Sequence, residues 1–286
     1  MQHKSHPSQP LISAQELRQR QHTESFVLLD ARSGPQARLR YQAGHLPGAL
    51  FVDLEQDLAR PTDNAAHGGR HPLPPITEFA HFLGQLGIGP ATTVVVYDDK
   101  SGANAAARVW WMLRSAGHTT AQVLDGGLAA AEAAGFTLTD AAEQSVPVAP
   151  YPVSHWQLPV APVAQVQKAS AKGTQLVIDV REAARYRGET EPIDLVAGHI
   201  PGAVNVPFAG NLDATGHYLP ATELREKYDA VLAGRAPKDV IVHCGSGVTA
   251  CHTLLAFAQA GLEVPQLYVG SWSEWSRNDW PMATGA

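Results

Sequence analysis

The side chains with the most obvious capacity for nucleophilic or redox chemistry are two cysteines, Cys244 and Cys251. Two thiols are too few for a disulfide framework or a four-thiolate zinc site. They lie seven positions apart, where the pattern starts a helix. At ~1.5 Å rise per residue that is about 10 Å, beyond disulfide reach. At most one of them does the chemistry. Cys244 follows the apolar run Val240-Ile241-Val242-His243 and precedes Gly245-Ser246-Gly247-Val248-Thr249. Small residues let the backbone curl until several N–H groups point at one centre, and the positive end of the following helix adds to that field. Both favour a thiolate or a negatively charged sulfur adduct. A lone cysteine after a strand is more often a small buried hydrophobe; the Gly-Ser-Gly loop at the C-terminal end of a parallel strand favours function. Cys251, among Ala250, Leu254 and Leu255, reads as core.

The elements that must hold this loop are written twice. Phe26-Val27-Leu28-Leu29 ends in Asp30-Ala31-Arg32, and Leu176-Val177-Ile178 ends in Asp179-Val180-Arg181. Gly44-His45-Leu46-Pro47-Gly48-Ala49 is matched by Gly198-His199-Ile200-Pro201-Gly202-Ala203. A later strand, Val94 to Tyr97 or Val240 to His243, runs through a Gly-containing loop into a helix that stops at Gly117 or Gly261. Ser13 opens a helix with capping-box spacing, and 163–171 is its counterpart. Short β runs alternating with helical segments predict α/β architecture, two tandem domains each built on a mainly parallel sheet flanked by helices. We place the domains at 8–140 and 160–286, joined by a Pro-, Ser- and Val-rich linker at 141–159. The two copies are unequal: aligning the loops sets Asp99-Lys100-Ser101-Gly102 opposite Cys244-Gly245-Ser246-Gly247, so only the second copy offers a sulfur.

The 286-residue length suits two domains, and 44% hydrophobic with 17% charged residues is ordinary for a globular chain. The net charge of −6 argues against a general nucleic-acid binder. No apolar run reaches the ~18 residues of a membrane span, and the polar Met1 to Pro10 lacks the apolar core of a secretory signal. A soluble, cytoplasmic protein is the expectation.

The string from Cys244 to His252, both Gly-His-x-Pro-Gly-Ala motifs and Gly270-Ser271-Trp272-Ser273-Glu274-Trp275 together resemble the rhodanese family, in particular its 3-mercaptopyruvate sulfurtransferase branch. The resemblance covers nearly the whole chain. It implies an inactive rhodanese-like first domain and a catalytic second one. Cys244 would attack the outer sulfur of a donor and carry it as a persulfide to a thiol or cyanide acceptor, possibly a protein thiol such as thioredoxin. Neither metal nor organic cofactor is implied, because the cysteine is itself the carrier. Gly245, Gly247, Val248 and Thr249 would form the substrate loop. Phosphatases of the same fold need an arginine six positions after the cysteine, and Ala250 stands there.

Both candidate donors, 3-mercaptopyruvate and thiosulfate, are anions, and Arg185 matches the arginine that the family turns on substrate. Asp179, Arg181, His45 and His199 recur in pattern in both halves and read as structural. Gly245 and Ser246 resemble the mercaptopyruvate type, since thiosulfate-specific relatives tend to carry basic residues there. A second arginine expected about nine residues after Arg185 is missing, with Asp194 near its place. From His45 to Asp99 is 54 positions but from His199 to Cys244 only 45, so the first copy carries an insertion. The resemblance implies that this insertion lends His71 and Asp57 to Ser246 as a Ser-His-Asp set; the alternative is a polar surface loop. Trp272 and Trp275 read as core or pocket wall. Thiosulfate:cyanide transfer and a non-catalytic persulfide carrier or partner-binding module are the competing functions.

Overall fold

A computed structural model describes residues 9–285; residue 8 and most of the polar start of the chain lie outside them. Among the described residues nine strands form two sheets. The first contains β1 (Leu11–Ile12), β2 (Val27–Asp30), β3 (Ala49–Phe51), β4 (Val94–Tyr97) and β5 (Ala121–Leu124), in the order β1-β5-β4-β2-β3. The second contains β6 (Leu176–Asp179), β7 (Val204–Asn205), β8 (Val240–His243) and β9 (Gln266–Leu267), in the order β7-β6-β8-β9. Every ladder is parallel. Parallel strands are covered on both faces, which is why β4 and β8 are continuous apolar runs, buried at each position.

The chain forms two compact units. One gathers the described residues up to Leu58 with Pro74–Gln157 and Thr215–His217; the other gathers Ala59–Leu73, Leu158–Ala214 and the residues from Tyr218 onward. The linker region through Gln157 belongs with the first unit, where Val148 N–H donates to Gly84 and Tyr151 N–H to Ala80. The insertion divides: Asp57 and Leu58 stay in the first unit, and Ala59–Leu73 joins the second.

The repeated motifs build the same local device in each unit. At the end of β2 the Asp30 carboxylate accepts from Arg32 Nε and Nη2, and Arg32 also reaches Gly44 O. At the end of β6 Asp179 and Arg181 repeat this, with Gly198 O as the third partner. His45 stacks on Tyr41 with ring centroids 4.0 Å apart, and His199 on Tyr186 at 3.7 Å. Each imidazole Nδ1 lies 2.8 Å from the carbonyl of its tyrosine. These residues close the strand-to-loop corner. Ser13 Oγ accepts from Glu16 N–H at the start of helix Ala14–Arg20, satisfying a donor that the helix cannot. Trp272 and Trp275 are fully buried in the second core, with Val177, Ile200, Ile241 and Tyr268. No helix among the described residues is long and apolar enough to cross a membrane.

Candidate active site

Cys244 is the first residue after β8 and is 3% exposed. Residues 271–273 pin its backbone. Cys244 N–H donates to Ser271 Oγ (3.2 Å), and Cys244 O and Gly245 O accept from the N–H groups of Trp272 (3.0 Å) and Ser273 (2.8 Å). The loop then turns through Gly247 at φ +74, where a Cβ would meet Val269 O at 2.5 Å. Only glycine avoids both the strain and the clash. Helix Ala250–Gln259 follows, and its first N–H groups have no acceptor within the helix. Cys251 is wholly buried and donates its S–H to Gly247 O; it is a packing residue. Ala250, where a phosphatase would need its arginine, is also fully buried.

Beside the sulfur lies a pocket of about 150 Å³ bounded by Cys244, Gly245, Thr249, Arg181, Arg185 and Phe208. An apolar cavity of that size holds a benzene-sized molecule, so a donor of five to seven heavy atoms matches it. Arg185 lies in the helical turn Ala183–Tyr186. Its Nη2 lies 2.6 Å from Glu191 Oε1 and 3.3 Å from Asp194 Oδ2, and its Nε 3.1 Å from Glu191 Oε2. Glu191 also receives Arg181 at 3.3 Å. Burial alone would raise the Glu191 pKa, but Arg185 and the Asp194 and Ile193 N–H groups outweigh it and hold it below the usual value. Asp179 is likewise depressed: His243 and Arg181 outweigh its burial.

Asp194, near the place of the missing second arginine, gathers arginines around it. Its carboxylate is fully buried and pairs with Arg185, with Arg277 (3.0 Å) and with Arg70. The guanidinium nitrogens of Arg70 and Arg185 lie 3.4 and 3.5 Å from where a Cβ on Gly245 would stand. Two arginines therefore border the residue next to the nucleophile. Arg70 carried a weak sequence signal, adjacency to His71 in the insertion; Arg277 carried none.

Arg70 arrives on Ala59–Leu73, a strap across the C-terminal helix Ser271–Trp275. Glu274 accepts from Gly68 N–H (2.8 Å), Ser273 Oγ from Arg70 N–H (3.0 Å), and Ala66 O from Asn278 Nδ2 (3.0 Å). The same strap sets His71 Nδ1 2.8 Å from Ser246 Oγ. The serine–histidine half of the expected set thus lies within one unit. Asp57 lies in the other unit, where it accepts from Asp53 N–H (2.8 Å) and where burial pushes its pKa up.

The pairing of the two loops needs one correction. β2 pairs Asp30 with Tyr97, and β6 pairs Asp179 with His243, so Asp98, not Asp99, stands at the cysteine position. Leu128 N–H donates to Asp98 O just as Trp272 N–H does to Cys244 O. The first loop has one residue more before its helix begins, so counting back from Ser-Gly lands one position late. Asp98 is fully buried. Its carboxylate accepts four N–H bonds, from Lys100, Gly102, Asn104 and Ala106. The N–H cradle of the first copy is filled by its own side chain. Asp99 instead pairs with Arg40 at 3.2 Å.

A family model for the rhodanese-like domain matches residues 13–134 and 162–278. Among known proteins the chain is 42% identical to a probable 3-mercaptopyruvate sulfurtransferase of Pseudomonas aeruginosa, over 97% of this chain and 99% of the relative. It is 39% identical to a putative thiosulfate sulfurtransferase of Mycobacterium tuberculosis, over 94% of each. Among solved structures it is similar to 3-mercaptopyruvate sulfurtransferase from Leishmania major, with TM-score 0.81 and 29% identity, over 95% of this chain and 76% of that one.

Proposed function

The chain belongs to the rhodanese-like domain family, and from that premise we propose a sulfurtransferase that takes sulfane sulfur from a small anionic donor, 3-mercaptopyruvate favoured, onto Cys244. The persulfide then passes its outer sulfur to a thiol or to cyanide. One observation carries the reading: a single nucleophilic sulfur at the end of a buried parallel strand, facing a small pocket with Arg185 on its wall. With mercaptopyruvate, the Cys244 thiolate forms an S–S bond to the donor sulfur while the donor C–S bond breaks. The electron pair leaves as the pyruvate enolate, which a proton converts to pyruvate. With thiosulfate the S–S bond of the donor breaks, and its electron pair leaves on sulfite.

The two donors differ in protons. Mercaptopyruvate brings a thiol proton and leaves as a strongly basic enolate; thiosulfate brings no proton, and sulfite leaves as an anion. The Ser246–His71 pair supports mercaptopyruvate, since a hydroxyl backed by imidazole can relay a proton or polarise the donor. In this reading Arg185 clamps the donor anion, and the backbone of Gly245, Gly247, Val248 and Thr249 cradles the charged sulfur. A protein thiol such as thioredoxin, in a reducing cytoplasm, suits the acceptor role. Thiosulfate:cyanide transfer is the second reading, favoured by the name of the mycobacterial relative.

The test is steady-state pyruvate release from mercaptopyruvate with a thiol acceptor, beside sulfite release from thiosulfate with cyanide. The proposal expects multiple turnovers, a higher kcat/KM for mercaptopyruvate, and loss of both activities in Cys244→Ser. Equal turnover by that variant overturns it, and a single loading without turnover makes the protein a carrier.

A further inference from the structure

The charge count around Asp194 points to a role that rests on the function proposed above. Three guanidiniums, Arg70, Arg185 and Arg277, converge on one fully buried carboxylate, and Arg185 is held by a second, Glu191. The adjacent Asp179–Arg181 pair adds no net charge, and the exposed Glu182 at the rim is screened by solvent. With residue 244 uncharged, as a thiol or in Cys244→Ser, the cluster is left with one positive charge in excess. An arginine at position 194 would leave three.

We propose that Asp194 is the donor-specificity residue of this enzyme: it holds Arg70 and Arg185 beside the cysteine loop and matches the pocket to a singly charged carboxylate in preference to a dianion such as thiosulfate. Its carboxylate Oδ2 stands 3.6 Å from where a Cβ on Gly245 would be, close enough for its charge to act on a donor seated against that loop. A monoanion neutralises the excess charge; a dianion also meets the Asp194 carboxylate, which burial leaves poorly screened. Asp194 is a positioning residue and touches no reacting atom. It is separated from Arg70 by 124 positions and from Arg277 by 83 in the chain, so the hub exists only in the folded unit.

The test uses pyruvate and sulfate as inert probes of one and two charges, titrated into Cys244→Ser protein at low ionic strength. Asp194→Asn keeps the shape and an acceptor oxygen but removes the charge. The affinity ratio of sulfate to pyruvate should rise about tenfold, a differential of ~1.4 kcal/mol. Asp194→Glu keeps the charge and should leave the ratio within about twofold of its starting value. The same tenfold shift should appear in the kcat/KM ratio of thiosulfate to mercaptopyruvate when Cys244 is present. Equal changes for both probes in Asp194→Asn mean a merely structural role and overturn the proposal, as does a shifted ratio in Asp194→Glu. If Asp194→Asn does not fold, Asp194→Ser carries the same expectation; and if the unaltered protein binds sulfate more than tenfold tighter than pyruvate, the charge argument fails without any variant. The probes need no turnover, so an inactive enzyme refutes the function and leaves this binding inference to stand or fall by itself.

Discussion

Gly69 holds the strap against the C-terminal helix at a point where no side chain fits. Its φ is +80, and a Cβ there would stand inside the van der Waals envelope of Gly270 O and 2.8 Å from Ser273 Oγ. The first contact is backbone against backbone, so no rotamer change relieves it. In Gly69→Ala the left-handed conformation costs about 1–2 kcal/mol. If the strap lifts to escape the clash, the bonds from Gly68 N–H to Glu274 and from Arg70 N–H to Ser273 go with it, about 1 kcal/mol each. The strain alone shifts the strap from docked towards undocked by about tenfold, ~1.4 kcal/mol per factor of ten, and the backbone clash adds to that shift. Arg70 and His71 would leave together while Cys244, β8 and the second core stay in place. The expected result is loss of hydrogen-exchange protection confined to 59–73 and a fall in mercaptopyruvate kcat/KM of about a hundredfold. Alkylation of Cys244 by a neutral reagent should remain as fast or become faster. Unchanged protection and activity within twofold would show that the strap does not assemble the site.

Other outcomes follow from the same geometry. His71→Ala should reduce mercaptopyruvate kcat by about 10²-fold or more, the usual size of acid–base assistance, and thiosulfate kcat by under about threefold; equal losses would deny the proton-relay role. Asp98→Asn should destabilise the first unit by about 2–3 kcal/mol in denaturant unfolding, because an amide turns N–H donors towards some of the four N–H groups that Asp98 accepts. His118 is 1% exposed, and burial, aided by the Arg114 charge and opposed by a Thr92 hydrogen bond, lowers its pKa to about 4. Its folded pKa lies below the unfolded 6.5, so the unfolded chain takes up the proton first and stability falls as pH drops below 6.5. Between pH 6.5 and 5 that is about 2 kcal/mol at ~1.36 per unit. His118→Gln should flatten the profile over this window; an unchanged slope would assign it to other groups.

The nucleophile and the duplication were legible because both are local: Cys244 with its Gly-Ser-Gly loop, and the paired Gly-His-x-Pro-Gly-Ala strings, are contiguous in the chain. The Asp-x-Arg corners and the stacked His45 and His199 could be read as structural from their recurrence. What escaped depended on distance or on a loop length. Matching Ser101-Gly102 to Ser246-Gly247 hid the extra residue that makes Asp98 the counterpart of Cys244. Asp194 looked like a lost arginine because its partners Arg70 and Arg277 are brought in from the strap and the C-terminal helix. Nor does any periodicity mark Ala59–Leu73 as part of the second unit; its place follows from Glu274, Ser273 and the absence of side chains at Gly68 and Gly69.

The central claim is that Cys244 alone carries the transferred sulfur. Intact-mass spectrometry after brief incubation with 3-mercaptopyruvate, without acceptor, tests it most directly. A gain of one sulfur atom, mapped to the peptide containing Cys244, absent in Cys244→Ser and discharged by an added thiol, is the predicted result. Unmodified protein with either donor, or sulfur found on Cys251, would contradict it.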